Sequence, residues 1–197
     1  MNTELPVAAL CVSGRSIYKH LPNVIAFDSA RDARSFGGYM PVVAHPPCRL
    51  WSKFLSHQAK APAAERDLGL WAVEQVQTWG GVLEHPAHSR LFDAANLPMP
   101  NSPDGELSFT LYVEQSWFGY CTPKATWVYV CGVPKSQVPP VPFSLADDAK
   151  RPGLSGAGRS RSVRPFAEWL CQTARCAWLC QSDLRMPNSQ LGLVSCR

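Results

Sequence analysis

A strand–helix–strand unit limits what this chain can fold into more than any other feature. "PVVAH" (Pro41 to His45) is a short apolar run that stops on Pro46, Pro47 and Cys48. "PAAERDLGLWAVEQVQTW" (Pro62 to Trp79) follows, with Leu68, Trp71, Ala72, Val76 and Trp79 recurring at helical spacing and Pro62 suited to a first turn. Gly80 and Gly81 end that helix, and "VLEHP" (Val82 to Pro86) is a second apolar run. Two strands joined through a helix are parallel neighbours in one sheet, so their carboxyl ends share one edge. Ligands of open parallel sheets bind beyond that edge. "HPPC" and "EHP" are therefore expected to face a single cleft.

The rest of the chain extends the same α/β pattern. "LPVAALCV" (Leu5 to Val12) and "NVIAFDS" (Asn23 to Ser29) read as further strands, the second ending in Asp28. "ELSFTLYVEQSWFGYCTPKATWVYVCG" (Glu106 to Gly132) is aromatic and β-branched, as strands prefer, and reads as a hairpin turning at Gly119–Pro123. "PFAEWLCQTARCAWLC" (Pro165 to Cys180) reads as a short amphipathic helix. The expected organisation is an α/β domain over 1–145, a flexible basic linker over 146–164, and a short helix with a disordered tail over 165–197. Oligomeric state is not legible.

Composition narrows the class. With 46% hydrophobic residues in 197, a core needs no covalent staples, and the eight cysteines show neither framework spacing nor a CxxC pair. Free thiols in a reducing cytoplasm are expected. No segment approaches the roughly 18 apolar residues of a membrane span, and "MNTELPVAAL" lacks the basic start of a secretory signal. Residues 150–197 hold eight Lys/Arg and two acids, a net of +6, whereas residues 1–149 hold 11 basic and 13 acidic residues, a net of −2. A positive field of that kind favours a polyanion such as nucleic acid, though a solvated basic tail is the commoner explanation of such a charge run.

Cys48 and Glu84 carry the chemistry. A thiol presented by a rigid Pro-Pro turn becomes reactive if a cation such as Arg49 or Lys53 lowers its pKa. Glu84, in an apolar strand, is expected to have a raised pKa suited to a general acid. A cysteine nucleophile beside an acidic partner is a coherent covalent pair. The competing arrangement is a metal site of His45, Cys48, His85 and His88, with Glu84 as proton shuttle. Gln115 is expected to read a base or pair across the hairpin, and Trp117, beside the "FG" turn, to stack on one.

Pro47-Cys48, Glu84-His85-Pro86 and "WFGYCTPKATWVYVCG" (Trp117 to Gly132) resemble, in this order, the core of DNA cytosine C5-methyltransferases. The likeness spans about Pro41 to Gly132 and is strongest to short phage-encoded, methylase-like proteins. It implies a Rossmann-like, methyltransferase-type fold, mostly parallel and with a β-hairpin. It also implies a transferase acting on DNA in the cytoplasm of a phage-infected or lysogenic bacterium. By the same likeness Cys48 would attack C6 of a pyrimidine and Glu84 would contact the ring edge. Pro47, His85, Gln115, Trp117, Lys124 and Thr126 would lie around the base. S-adenosylmethionine would be the donor, with Ser13, Gly14 and Asp28 at its site. The chain departs from the family by having Gly14 alone where a glycine-rich loop is usual, His85 for the usual Asn, and Lys124 and Thr126 for paired arginines. A non-catalytic nucleic-acid-binding phage protein on the same fold is the alternative from another class.

Overall fold

A computed structural model describes residues 5–52, 62–103, 105–143 and 162–185, with side chains of the last helix through Ala177. Lys53, most of the 146–164 linker and the tail beyond Arg185 lie outside the described residues. Six strands, β1 (Val7–Leu10), β2 (Val24–Ala26), β3 (Val42–Ala44), β4 (Gly81–Pro86), β5 (Ser108–Glu114) and β6 (Ala125–Cys131), form one sheet. The order is β2-β1-β3-β4-β6-β5. β2, β1, β3 and β4 run parallel, while β6 is antiparallel to both β4 and β5. The expected parallel pairing is present, with Val42, Val43 and Ala44 opposite Gly81, Val82 and Leu83.

The strands are shorter than their apolar runs because the flanking residues leave the ladder for loops. The inner strands β1, β3, β4 and β6 are buried on both faces, which accounts for near-continuous hydrophobic sequence in place of alternation. Ala8, Leu10, Val42, Ala44, Leu83, Trp127 and Tyr129 point to one face and meet Ala72, Val73 and Val76 of helix α1 (Ala64–Trp79). Val7, Ala9, Val43, Val82, Val128 and Val130 point to the other. There they meet Phe166, Trp169, Leu170 and Ala174 of helix α3 (Arg164–Arg185). A short helix, α2 (Arg90–Ala94), follows β4 and is capped by Ser89, whose hydroxyl accepts from the Leu91 N–H at 3.2 Å.

α3 corrects the expected domain division. Far from being an appended tail, its first half supplies one layer of the core: Phe166 and Leu170 have no exposed surface and Trp169 has 2%. The Trp169 indole N–H donates to the Pro139 carbonyl at 2.8 Å and ties the proline-rich connection to this layer. The reason is elementary, because a sheet apolar on both faces must be covered on both.

The Gly80-Gly81 pair sets the register between α1 and β4. Gly80, at φ 76°, caps the helix through its N–H to the Val76 carbonyl. Gly81, at φ 129°, packs so closely on β3 that a Cβ would lie 2.0 Å from the Val42 carbonyl oxygen. Only glycine satisfies both requirements there.

Candidate active site

The strand order reverses at β1: β2 lies on one side and β3 on the other. Chains leaving the carboxyl ends of β1 and β3 diverge, and the crevice between them is the usual ligand position in a doubly wound sheet. A cavity of about 950 Å³ opens there. Its walls come from the loop after β1 (Cys11 to Tyr18), the "HPPCR" turn after β3, the end of β4 (Glu84 to Pro86) and the hairpin turn (Tyr120 to Lys124).

Cys48 is exposed at this cavity. It begins a 3₁₀ turn, Arg49–Trp51, anchored by Trp51, which is 3% exposed. The anchor fits α1 tightly, since a Cβ on Gly69 would sit 2.5 Å from the Trp51 indole nitrogen. Ser89 Oγ donates to the Trp51 carbonyl at 3.4 Å. The thiol thus projects from a turn locked to the core.

The thiol is not activated in the free protein. Partial burial pushes its pKa up and the Glu84 charge adds to this, while its own backbone N–H, Lys124 and Arg49 oppose. Arg49 is engaged with Glu65, with a second contact from Nε to Oε2 at 3.3 Å. The expected cation-lowered thiol is therefore corrected: burial, together with the carboxylate beside Cys48, outweighs the cations.

Glu84 also differs from expectation. It is 8% exposed, and burial alone would raise its pKa. The hydrogen bond and charge of His45, followed by Lys124, reverse this and bring it down to about 2. Glu84 is a carboxylate at neutral pH, not a general acid. Oε2 lies 2.9 Å from His45 Nδ1. Oε1 accepts from Gln115 Nε2 at 3.1 Å. Gln115, without exposed surface, gives its other N–H to Thr126 Oγ1 at 3.1 Å, and Thr126 donates to the Lys124 carbonyl at 3.1 Å. Gln115 and Thr126 are therefore supports behind the carboxylate, not base-reading groups. Lys124 reaches the cavity from the hairpin, its Nζ 5.7 Å from the Tyr120 ring centroid.

His85 lines the same cavity, only 1% exposed. Neither ring nitrogen finds a hydrogen-bond partner among the described residues. Burial lowers its pKa to about 4, against the opposing pull of Glu84 and of the nearby Pro46 and Pro47 carbonyls, which lie outside hydrogen-bond geometry. It is a neutral imidazole. Pro47 forms part of the wall.

Three other expectations fall elsewhere. Trp117 packs with Phe143 and Tyr112, at centroid separations of 5.7 and 6.3 Å, beside Trp169 in a different groove. It belongs to the apolar layer, not the cavity. The four metal candidates do not form a ligand set: His45, Cys48 and His85 line the cavity, but both His45 nitrogens are taken by Glu84 and Tyr18, and His88 lies over Trp127 with centroids 5.0 Å apart. No cluster of three or more His, Cys, Asp or Glu suited to a metal occurs among the described residues. Asp28 does not line the cavity. Its Oδ1 accepts from the Ala30 and Arg31 N–H groups at 2.9 and 3.0 Å, and Oδ2 is ion-paired with Lys19. Of the residues assigned to a donor, only Ser13 touches the cavity. A Cβ on Gly14 would meet nothing closer than Asp28 Oδ2 at 3.8 Å, so no close backbone approach demands glycine there.

One site residue escaped the sequence reading. Tyr18, 1% exposed, places its hydroxyl 2.8 Å from His45 Nε2. It lies 27 residues from His45, and its only local signal is its position in the loop after β1. No helix among the described residues is long and apolar enough to cross a membrane. In sequence comparison the chain matches no known protein family and no curated protein.

Proposed function

We propose that this protein is a base-modifying enzyme of the cytosine C5-methyltransferase type, with Cys48 as nucleophile toward pyrimidine C6 and DNA as its substrate. One observation carries the reading: two adjacent parallel strands deliver an exposed thiol and a buried, ionised carboxylate into a single cavity. A cavity of about 950 Å³ accommodates an extruded nucleoside. The sheet order, with its reversal at β1 and the antiparallel β6 between β4 and β5, supports a Rossmann-like reading of the fold.

In the attack the Sγ–C6 bond forms, the thiol proton leaves to solvent, and solvent supplies the proton that the ring nitrogen carries in the adduct. The C5=C6 π pair moves toward C5, which becomes nucleophilic toward a one-carbon electrophile. Glu84, acceptor-only, takes hydrogen bonds from the exocyclic amino group and from the ring N–H of the adduct. Lys124 offsets negative charge on the sulfur and carboxylate. S-adenosylmethionine would supply a methyl group if bound. Asp28, ion-paired with Lys19, bonded by two backbone amides and outside the cavity, does not fit as the residue that would hold its ribose.

The test is incubation with duplexes containing 5-fluorocytosine, with and without S-adenosylmethionine. A denaturant-stable adduct that is lost in Cys48→Ser supports the proposal. No adduct under any condition, with duplex binding unchanged in Cys48→Ser, sinks it in favour of the non-catalytic binder.

A further inference from the structure

We infer that Tyr18 and His45 are positioning residues that lock Glu84 as a permanent hydrogen-bond acceptor in the cavity. His45 bridges the two, with Nδ1 2.9 Å from Glu84 Oε2 and Nε2 2.8 Å from the Tyr18 hydroxyl. The Tyr18 and His45 rings also pack, with centroids 5.1 Å apart. The chain joins three separate loops or strand ends: the turn after β1, the end of β3 and the end of β4.

The direction of the hydrogen bond to Glu84 follows from the groups. A carboxylate only accepts, so His45 Nδ1 must carry the proton that points at Glu84. Tyr18 is buried and stays a phenol, its pKa pushed well above the ordinary value by burial, then by Cys171 and Glu84. Its hydroxyl can donate to Nε2 or accept from it, so it holds the ring in the same orientation either way. A ring with its proton on Nδ1 satisfies every atom of the chain, whereas the tautomer protonated only at Nε2 sets Nδ1 against a carboxylate with no proton between them. His45 is a clamp on Glu84.

The remaining groups facing Glu84 do not supply a competing proton. Cys48 from the 3₁₀ turn carries a thiol raised in pKa, His85 on β4 is neutral, and Lys124 from the hairpin turn contributes charge. Gln115 secures the other oxygen. The consequence for chemistry rests on the proposed function: the cavity selects ring edges that present N–H donors, and any proton needed by the ring arrives from outside this chain of groups.

Ring-nitrogen NMR of the intact, labelled protein at neutral pH tests the tautomer without reference to activity. The expected spectrum shows His45 protonated at Nδ1. Tyr18→Phe removes the lock and is expected to let the tautomer protonated only at Nε2 appear. A His45 protonated at Nε2 alone overturns the inference, as does an unchanged spectrum in Tyr18→Phe. The fluorocytosine adduct provides the second readout. Tyr18→Phe and His45→Leu are expected to slow adduct formation roughly 10- to 100-fold at unchanged duplex affinity, and His45→Asn, which retains an N–H donor, to recover most of the rate. Equal rates in His45→Asn and His45→Leu overturn the positioning role. If wild type forms no adduct while the NMR result holds, the proposed function fails and the lock stands.

Discussion

Asp28 and Glu84 are two acidic residues at carboxyl ends of parallel strands, and each has its pKa lowered to about 2. They get there differently. At the end of β2, the Lys19 ion pair leads and two backbone N–H groups add to it. Oδ1 takes two backbone N–H groups and Oδ2 the Lys19 ammonium, all outside the cavity, and the carboxylate serves to hold the turn that follows the strand. At the end of β4, Glu84 is stabilised against a burial penalty by one partner on each oxygen, His45 and Gln115. Each carboxylate oxygen accepts two hydrogen bonds, so Glu84 keeps capacity that opens into the cavity. The difference separates a carboxylate that holds a turn from one that faces the cavity: what matters is where the remaining acceptor capacity points, not how far the pKa moves.

The largest effect that breaks this comparison is loss of chemistry at one end only. Cys48→Ser is expected to abolish adduct formation and Glu84→Gln to slow it at least about 100-fold. Asp28→Asn should stay within about threefold of wild type at saturating duplex. An Asp28→Asn loss as large as that of Glu84→Gln would erase the distinction.

Next in size is the scaffold beneath the thiol. Trp51→Ala removes a buried indole and is expected to cost about 3–5 kcal/mol in denaturant unfolding. It should also slow adduct formation more than any substitution around Asp28, because Trp51 holds the turn that starts at Cys48.

Acid stability sharpens the comparison further. His85 is held neutral, its pKa lowered from 6.5 to about 4. Between those values the unfolded chain binds the proton that the folded chain refuses, so stability falls as pH drops through that window, by about 3 kcal/mol in total. Glu84 acts in the same direction further down: its contribution is complete above the unfolded value of 4.5 and is lost as pH falls toward about 2. His85→Phe is expected to flatten the unfolding free energy between pH 6.5 and 4 while leaving the steeper fall below 4.5. A slope unchanged in His85→Phe would show that the imidazole is not buried neutral.

The smallest effect is at the β2 end. Lys19→Met removes a half-exposed cation, and pairs of that kind contribute little. The melting temperature is expected to move by less than about 3 °C, and adduct formation to remain unchanged. A large loss of activity in Lys19→Met would place Asp28 in the functional site after all.

The pairing of Cys48 with Glu84 was legible in the sequence because a strand–helix–strand unit leaves little topological choice. A helix of 16 residues between two short apolar runs forces parallel neighbours, and parallel neighbours share an edge. The hairpin was legible from its β-branched residues. Trp117 was misplaced because an aromatic beside a turn has the same local signature whether it faces a cleft or a core. The helix from Arg164 was legible as a short amphipathic helix, but its place in the core was not, because the need to cover the second sheet face is not visible until the sheet is assembled.

The sequence by itself thus determined the strands, the central helix, the sheet edge that carries the site and the two residues at its centre. All of these follow from periodicity and from connections between neighbours in the chain. Only the tertiary structure decided the protonation states and the division of labour. Glu84 became a carboxylate because His45 lies 39 residues away, and His45 became a clamp because Tyr18 lies 27 residues before it. Burial and hydrogen-bond partners set a side chain's charge, and both are properties of the assembled core.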